Sequence, residues 1–130
     1  MNNIIYIGTN QFASKLLELL VKNNIKISTV ITKNPSKFGR GQKLTPQQVE
    51  IIAKKYDIHV HTTNNINLET NLFEKKNIDL IIVVEFVMKI NKEIFNIPKF
   101  SCINIHPSIL PKFRGPSPIQ YAILKNVSII

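Results

Sequence analysis

The residues of this chain best suited to chemistry are Asn104 and His106, in the stretch SCINIHPSILPKFRG that runs from Ser101 to Gly115. On an extended strand two positions apart, their side chains leave the same face, while Ile103 and Ile105 turn to the other face and into a core. The pair would set a neutral amide donor beside a group that titrates near physiological pH. Acyl transfer needs both, one to steady an oxyanion and one to move a proton. A lone N-x-H far more often only satisfies loop backbone at a strand end. The residues just after the pair are more telling: Pro107 and Pro111 hold an exit loop extended, Lys112 and Arg114 charge it, and Gly115 permits a turn before a helix.

Such a pair needs a sheet that delivers it to one edge. Apolar runs predict strands over residues 3–7, 25–31, 58–60, 80–84 and 102–105. Amphipathic stretches between them predict helices over 10–22, 46–56 and 68–76, a helical turn over 92–95, and a helix starting within 118–124. On the first helix Phe12, Leu16, Leu19 and Leu20 share a face, and Asn23 and Asn24 stop it. Thr45 is placed to cap the second, with Pro46 at its first position. Residues 32–44 read as a polar loop, and the uninterrupted run Leu80 to Val84 as a central strand buried on both faces. This alternation implies one doubly wound, mostly parallel Rossmann-like α/β sheet with right-handed crossovers. Ligands of such sheets bind outside the carboxyl ends of the strands, here the loops after Ile7, Ile31, Val84 and Ile105. The first of these turns, IGTNQFA, holds only Gly8 and lacks the G-x-G-x-x-G spacing that cradles a pyrophosphate, which argues against a dinucleotide cofactor.

Composition adds a charge argument. The chain has 130 residues, enough for one domain with a core, and 44% hydrophobic with 19% charged residues is ordinary globular usage. A net charge of +9 favours a polyanionic partner, nucleic acid before others, although the abundance of Ile, Lys and Asn makes part of that charge a compositional habit. Only two of the 17 basic residues are arginines, and both touch glycine: Arg40 lies between Gly39 and Gly41, and Arg114 precedes Gly115. Lysine suffices for a solvated point charge, so the two guanidiniums look reserved for planar, bidentate recognition of phosphate or carboxylate. A single cysteine, Cys102, forms no internal disulfide and reads as a small buried hydrophobe. The amino terminus does not have the form of a secretory signal and the apolar runs are too short to span a bilayer, so a cytoplasmic setting without membrane association is expected. His59 and His61 have no cysteine or carboxylate beside them in sequence and read as surface residues; no metal site is expected.

Taken in order, IGTNQFA, KFGRGQKLTP, the VV run of the fourth strand and CINIHPSILPKFRGPSPIQYAIL resemble the amino-terminal domain of the methionyl-tRNA formyltransferase family, from residue 1 to about residue 124. The N-x-H-P-S-[IL]-L-P motif with its F-R-G-P-x-P-I-Q continuation is the most specific piece. The G-R-G-x-K-L loop narrows the likeness from formyltransferases at large to the tRNA enzyme. The resemblance implies transfer of a formyl group from 10-formyltetrahydrofolate, as donor substrate, to the amine of initiator methionyl-tRNA. It places Asn104 and His106 on the catalytic pair and Ser108, Ile109, Leu110 and Pro111 on the folate-contacting stretch. Arg40 falls on the acceptor-stem loop, with Lys43 beside it.

The chain departs from the family in two ways. The family's catalytic Asp lies on a later loop that residues 1–130 do not reach, so the chain is expected to be a partial formyltransferase domain, weak alone and completed by a separate carboxyl-terminal fragment if the enzyme is split. After the VV run, where the family has in turn a small residue, a Tyr and a Gly, stand Glu85, Phe86 and Val87. Loss of the glycine is expected to hinder close approach of the pterin, and Glu85 adds an acid at its rim. Two other readings stay open: a folate-dependent formyltransferase acting on a small amine, and a non-catalytic basic module that binds RNA.

Overall fold

The β-branched run IIYIG forms the middle strand of a parallel sheet, because every one of its residues is buried and both of its edges are paired. The computed structural model of the chain describes residues 3–74 and 76–106. Within them the strands are β1 (Ile4–Gly8), β2 (Thr29–Lys33), β3 (Ser36–Phe38), β4 (Lys43–Thr45), β5 (His59–Thr63), β6 (Leu80–Val84) and β7 (Ser101–Ile105). The helices are α1 (Gln11–Lys22), α2 (Gln48–Lys55), α3 (Thr70–Glu74) and α4 (Lys92–Phe95). Five strands make the main sheet in the order β5-β2-β1-β6-β7, all parallel, and β3 and β4 form a separate antiparallel hairpin.

Alternation of side chains along these strands supplies a core on each face. Ile4, Tyr6, Val30, Ile82 and Val84 pack with Phe12, Leu16 and Leu17 of α1 and with Val49 and Ala53 of α2. Ile5, Ile7, Ile31, Ile81 and Val83 pack on the opposite face with Phe73 of α3 and Ile94 of α4. This is the doubly wound sheet expected, with Leu80–Val84 buried throughout. Tyr6 is wholly buried, and its hydroxyl donates to the Ala13 carbonyl at 2.6 Å, fixing α1 against β1. Burial pushes its phenol pKa well up, so it stays a donor. Tyr6→Phe is expected to reduce the unfolding free energy by about 1–2 kcal/mol in urea denaturation; an unchanged midpoint and slope would show the bond contributes nothing.

Several boundaries differ from expectation for identifiable reasons. The second strand begins at Thr29 and not at Ile25, because Asn24 turns left-handed (φ 64°) and the Ile25 amide returns to the Leu20 carbonyl, so the chain first closes α1. Leu19, placed on the buried face, is exposed, while Ala13 and Leu17 are buried. The loop over 32–44 contains the β3–β4 hairpin. Thr45 therefore ends a strand and does not cap α2: its hydroxyl bonds the Lys43 carbonyl, and Gln47 is the cap residue. Strand β5 runs on to Thr63, and the helix expected over 68–76 divides into a 3₁₀ turn, Ile66–Leu68, and α3. The helix expected within 118–124 lies outside the described residues.

Candidate functional site

Parallel register brings the chain's chemistry to one edge. Gly8 pairs with Val84 and Val84 with Ile105, so Thr9, Glu85 and His106, each the first residue beyond its strand, emerge side by side. Asn104 pairs with Val83 on the face that carries α3 and α4. Ile103 and Ile105 pack against the opposite core, as the spacing required. Asn104 Nδ2 lies 2.9 Å from His106 Nε2. His106 is exposed and Asn104 half-buried, so both are open to a ligand.

Beside the pair lies a cleft of about 290 Å³, walled by Val83, Phe86, Met88, Ile90 and Phe95 and rimmed by Glu85, Lys89, Asn104 and His106. Apolar walls with a few converging polar groups are what a flat organic ring needs. Glu85 holds a left-handed backbone (φ 45°), the conformation glycine adopts freely, and its carboxylate accepts a hydrogen bond from the Asn10 amide. Asn10 in turn caps α1 through Oδ1 and the Ala13 amide, 3.1 Å. The acid after β6 is thereby tied to the first turn, a link that nothing in the spacing of the sequence announces.

Arg40 sits at the tip of the hairpin, which the two flanking glycines make possible: Gly39 and Gly41 have φ of 76° and 79°, and a Cβ at either would meet nothing within 4 Å. Arg40 and Lys43 are exposed, and neither makes an ion pair among the described residues. The hairpin is anchored at its base, where Gln47 Nε2 donates to the Asn34 carbonyl (3.1 Å) and to Ser36 Oγ (3.0 Å). Of the remaining expected positions, Ser108, Ile109, Leu110, Pro111, Arg114 and Gly115 lie outside the described residues.

The other titratable groups separate from this edge. His59 is exposed, but His61 is half-buried and meets Glu69 at 3.2 Å, a partner eight positions on. No cluster of three metal-ligating side chains occurs among the described residues. Cys102 is buried, and burial pushes its thiol up to about 12, which keeps it protonated and inert. No helix among the described residues is long and apolar enough to cross a membrane.

A wholly parallel main sheet, cores on both faces and a polar pair over a cleft at the carboxyl edge define a Rossmann-like α/β domain. A phosphoribosylglycinamide formyltransferase from Anaplasma phagocytophilum shares that fold, with a TM-score of 0.62 at 22% identity over 97% of this chain and 59% of its own. The chain belongs to the formyl transferase family, whose pattern it matches over residues 2–129. Among curated relatives, the methionyl-tRNA formyltransferase of Wolbachia pipientis is 43% identical over 93% of this chain. That of Thermotoga maritima is 36% identical over 95%. The chain spans 41% and 40% of those two proteins respectively.

Proposed function

We propose that this chain carries the donor-binding and proton-transferring half of a site that moves a formyl group from 10-formyltetrahydrofolate to the amine of methionyl-tRNA. The observation that carries the reading is the Asn104–His106 pair over an apolar cleft, in a chain of this family. The amine attacks the formyl carbon and forms a C–N bond. The tetrahedral oxyanion that results takes hydrogen bonds from the Asn104 amide and the imidazolium of His106. As the oxyanion collapses, the bond to the folate nitrogen breaks, and His106 delivers to that nitrogen the proton taken from the attacking amine. Phe86, Met88 and Phe95 offer apolar walls that fit the ring end of the donor. Ser108, Ile109, Leu110 and Pro111 would complete the folate contact. The reaction belongs to translation initiation in the cytoplasm.

The RNA half of the reading rests on the hairpin. A guanidinium on a glycine-flanked tip, with Lys37 and Lys43 on the two strands below it, suits the phosphates of an acceptor stem. Arg40→Lys is expected to weaken RNA association with little effect on folate binding, because charge is kept and the bidentate fork is lost. Lys43→Ala is expected to lower the salt slope of RNA binding by about one counterion. Equal affinities for wild type and both variants across a salt titration would leave the hairpin as ordinary solvated surface.

A further inference from the structure

Glu85 is the acid that the fold itself least requires. It is half-buried at the first position beyond β6, and it makes no ion pair among the described residues of a chain with 17 basic and 8 acidic side chains. Its backbone is costly too. Among the described non-glycine residues with positive φ, Asn24 and Asp57 close helices and Gln42 turns the hairpin, whereas Glu85 does neither. A left-handed side-chain-bearing residue persists where the surrounding structure holds it, commonly beside a ligand. What holds Glu85 is a neutral group: Asn10 Nδ2 donates to Oε2. The other oxygen, Oε1, has no partner among the described residues.

We infer that Glu85 binds the α-amino group of the acceptor through a hydrogen bond to Oε1, and so aims the attacking nitrogen along the edge it shares with His106. The inference deepens the proposed function and rests on it, adding a role that a small residue at this position could not fill. Val84 pairs with Ile105, which sets Glu85 and His106 on neighbouring strands about 4.8 Å apart. Both stand at the rim of the same cleft as Asn104. An amine within reach of His106 is therefore within reach of the carboxylate next to it. Charge points the same way. An acid at an edge proposed to meet phosphates and the carboxylates of a folate repels both, and is favourable only toward a positive or N–H-bearing group. The acceptor brings such a group, an ammonium as it arrives and an amine as it attacks. The amino-substituted edge of the donor's ring fits less well, because it lies at the far end of the ring system from the nitrogen that carries the formyl group, and that nitrogen must sit at His106. Lys89 is the remaining charged group at this cleft, and no ion pair joins it to Glu85.

The test is a fluorescence titration of the chain with two labelled minihelices of one sequence, one carrying methionine and one carrying its desamino analogue, each joined to the terminal ribose by an amide. The expected result is tighter binding of the amine-bearing RNA by roughly tenfold, the usual worth of a hydrogen bond to a charged group. Glu85→Gln, which keeps the shape and an acceptor for Asn10, is expected to abolish that advantage and to leave the desamino RNA bound as before. Asn10→Ser keeps an oxygen that can cap α1 but is too short to tether Glu85, and is expected to reduce the advantage by about threefold. Circular dichroism of both variants guards against unfolding. Equal binding of the two RNAs by the unaltered chain would overturn the role of Glu85 and leave the RNA reading standing. So would an amine preference that survives Glu85→Gln, or an equal weakening of both RNAs by that change. Binding of neither RNA would overturn the RNA reading and the inference with it. Loss of 10-formyltetrahydrofolate affinity in Glu85→Gln, read by calorimetry, with the amine preference intact would assign the carboxylate to the donor's ring and overturn the inference.

Discussion

His106→Ala is expected to lower formyl transfer by roughly two orders of magnitude or more, the usual contribution of a positioned acid–base group. The loss should come without unfolding, because His106 is exposed at the end of β7, where its side chain meets the Asn104 amide and belongs to neither core. The measurement is a single-turnover transfer assay beside a thermal melt of the same variant. An intact melt with full turnover would remove His106 from the mechanism.

Gly8→Ala is expected to destabilise the fold by about 2–3 kcal/mol, near the top of the range for overpacking a well-packed site. A Cβ at Gly8 would lie 2.7 Å from Ala13 Cβ and 2.9 Å from the Val84 carbonyl oxygen, and neither atom is the end of a flexible side chain. The damage would also reach the site. Val84 directly precedes Glu85, and Ala13 accepts the Tyr6 hydroxyl and supplies the amide capped by Asn10, so a push at Gly8 moves both ends of the Asn10–Glu85 link. Chemical denaturation reads the stability. A variant as stable as wild type would show that the turn yields at no cost.

The parts of this architecture that sequence revealed are those governed by strict periodicity. IIYIG and LIIVV are continuous apolar runs flanked by polar residues, and alternation in SCINI assigns Asn104 to one face and Ile103 and Ile105 to the other without further information. The hairpin was illegible for the opposite reason. Its strands are three residues each, mostly polar and exposed, so no buried face imposed a period of two on them. Phe38 and Leu44, the two large apolar residues of that stretch, are exposed and pack into no core cluster. The links Asn10–Glu85 and His61–Glu69 were hidden as well, because the fold joins residues that sequence separates. Glu85 itself was conspicuous as an acid where the family carries a small residue, but only its backbone shows how it fits: it takes the left-handed conformation that a glycine would hold.

Transfer of a formyl group to methionyl-tRNA at the edge carrying Asn104 and His106 is tested most directly by following a labelled formyl group from 10-formyltetrahydrofolate. The protein for this measurement is the present chain fused after Ile130 to the remaining segment of the Thermotoga maritima methionyl-tRNA formyltransferase. Label is expected on the amine of methionyl-tRNA, and it is expected to disappear when His106 of the fusion is replaced by alanine. Label on a small amine substrate in preference to methionyl-tRNA, or none on either while the intact Thermotoga enzyme works in the same assay, would contradict the proposed function.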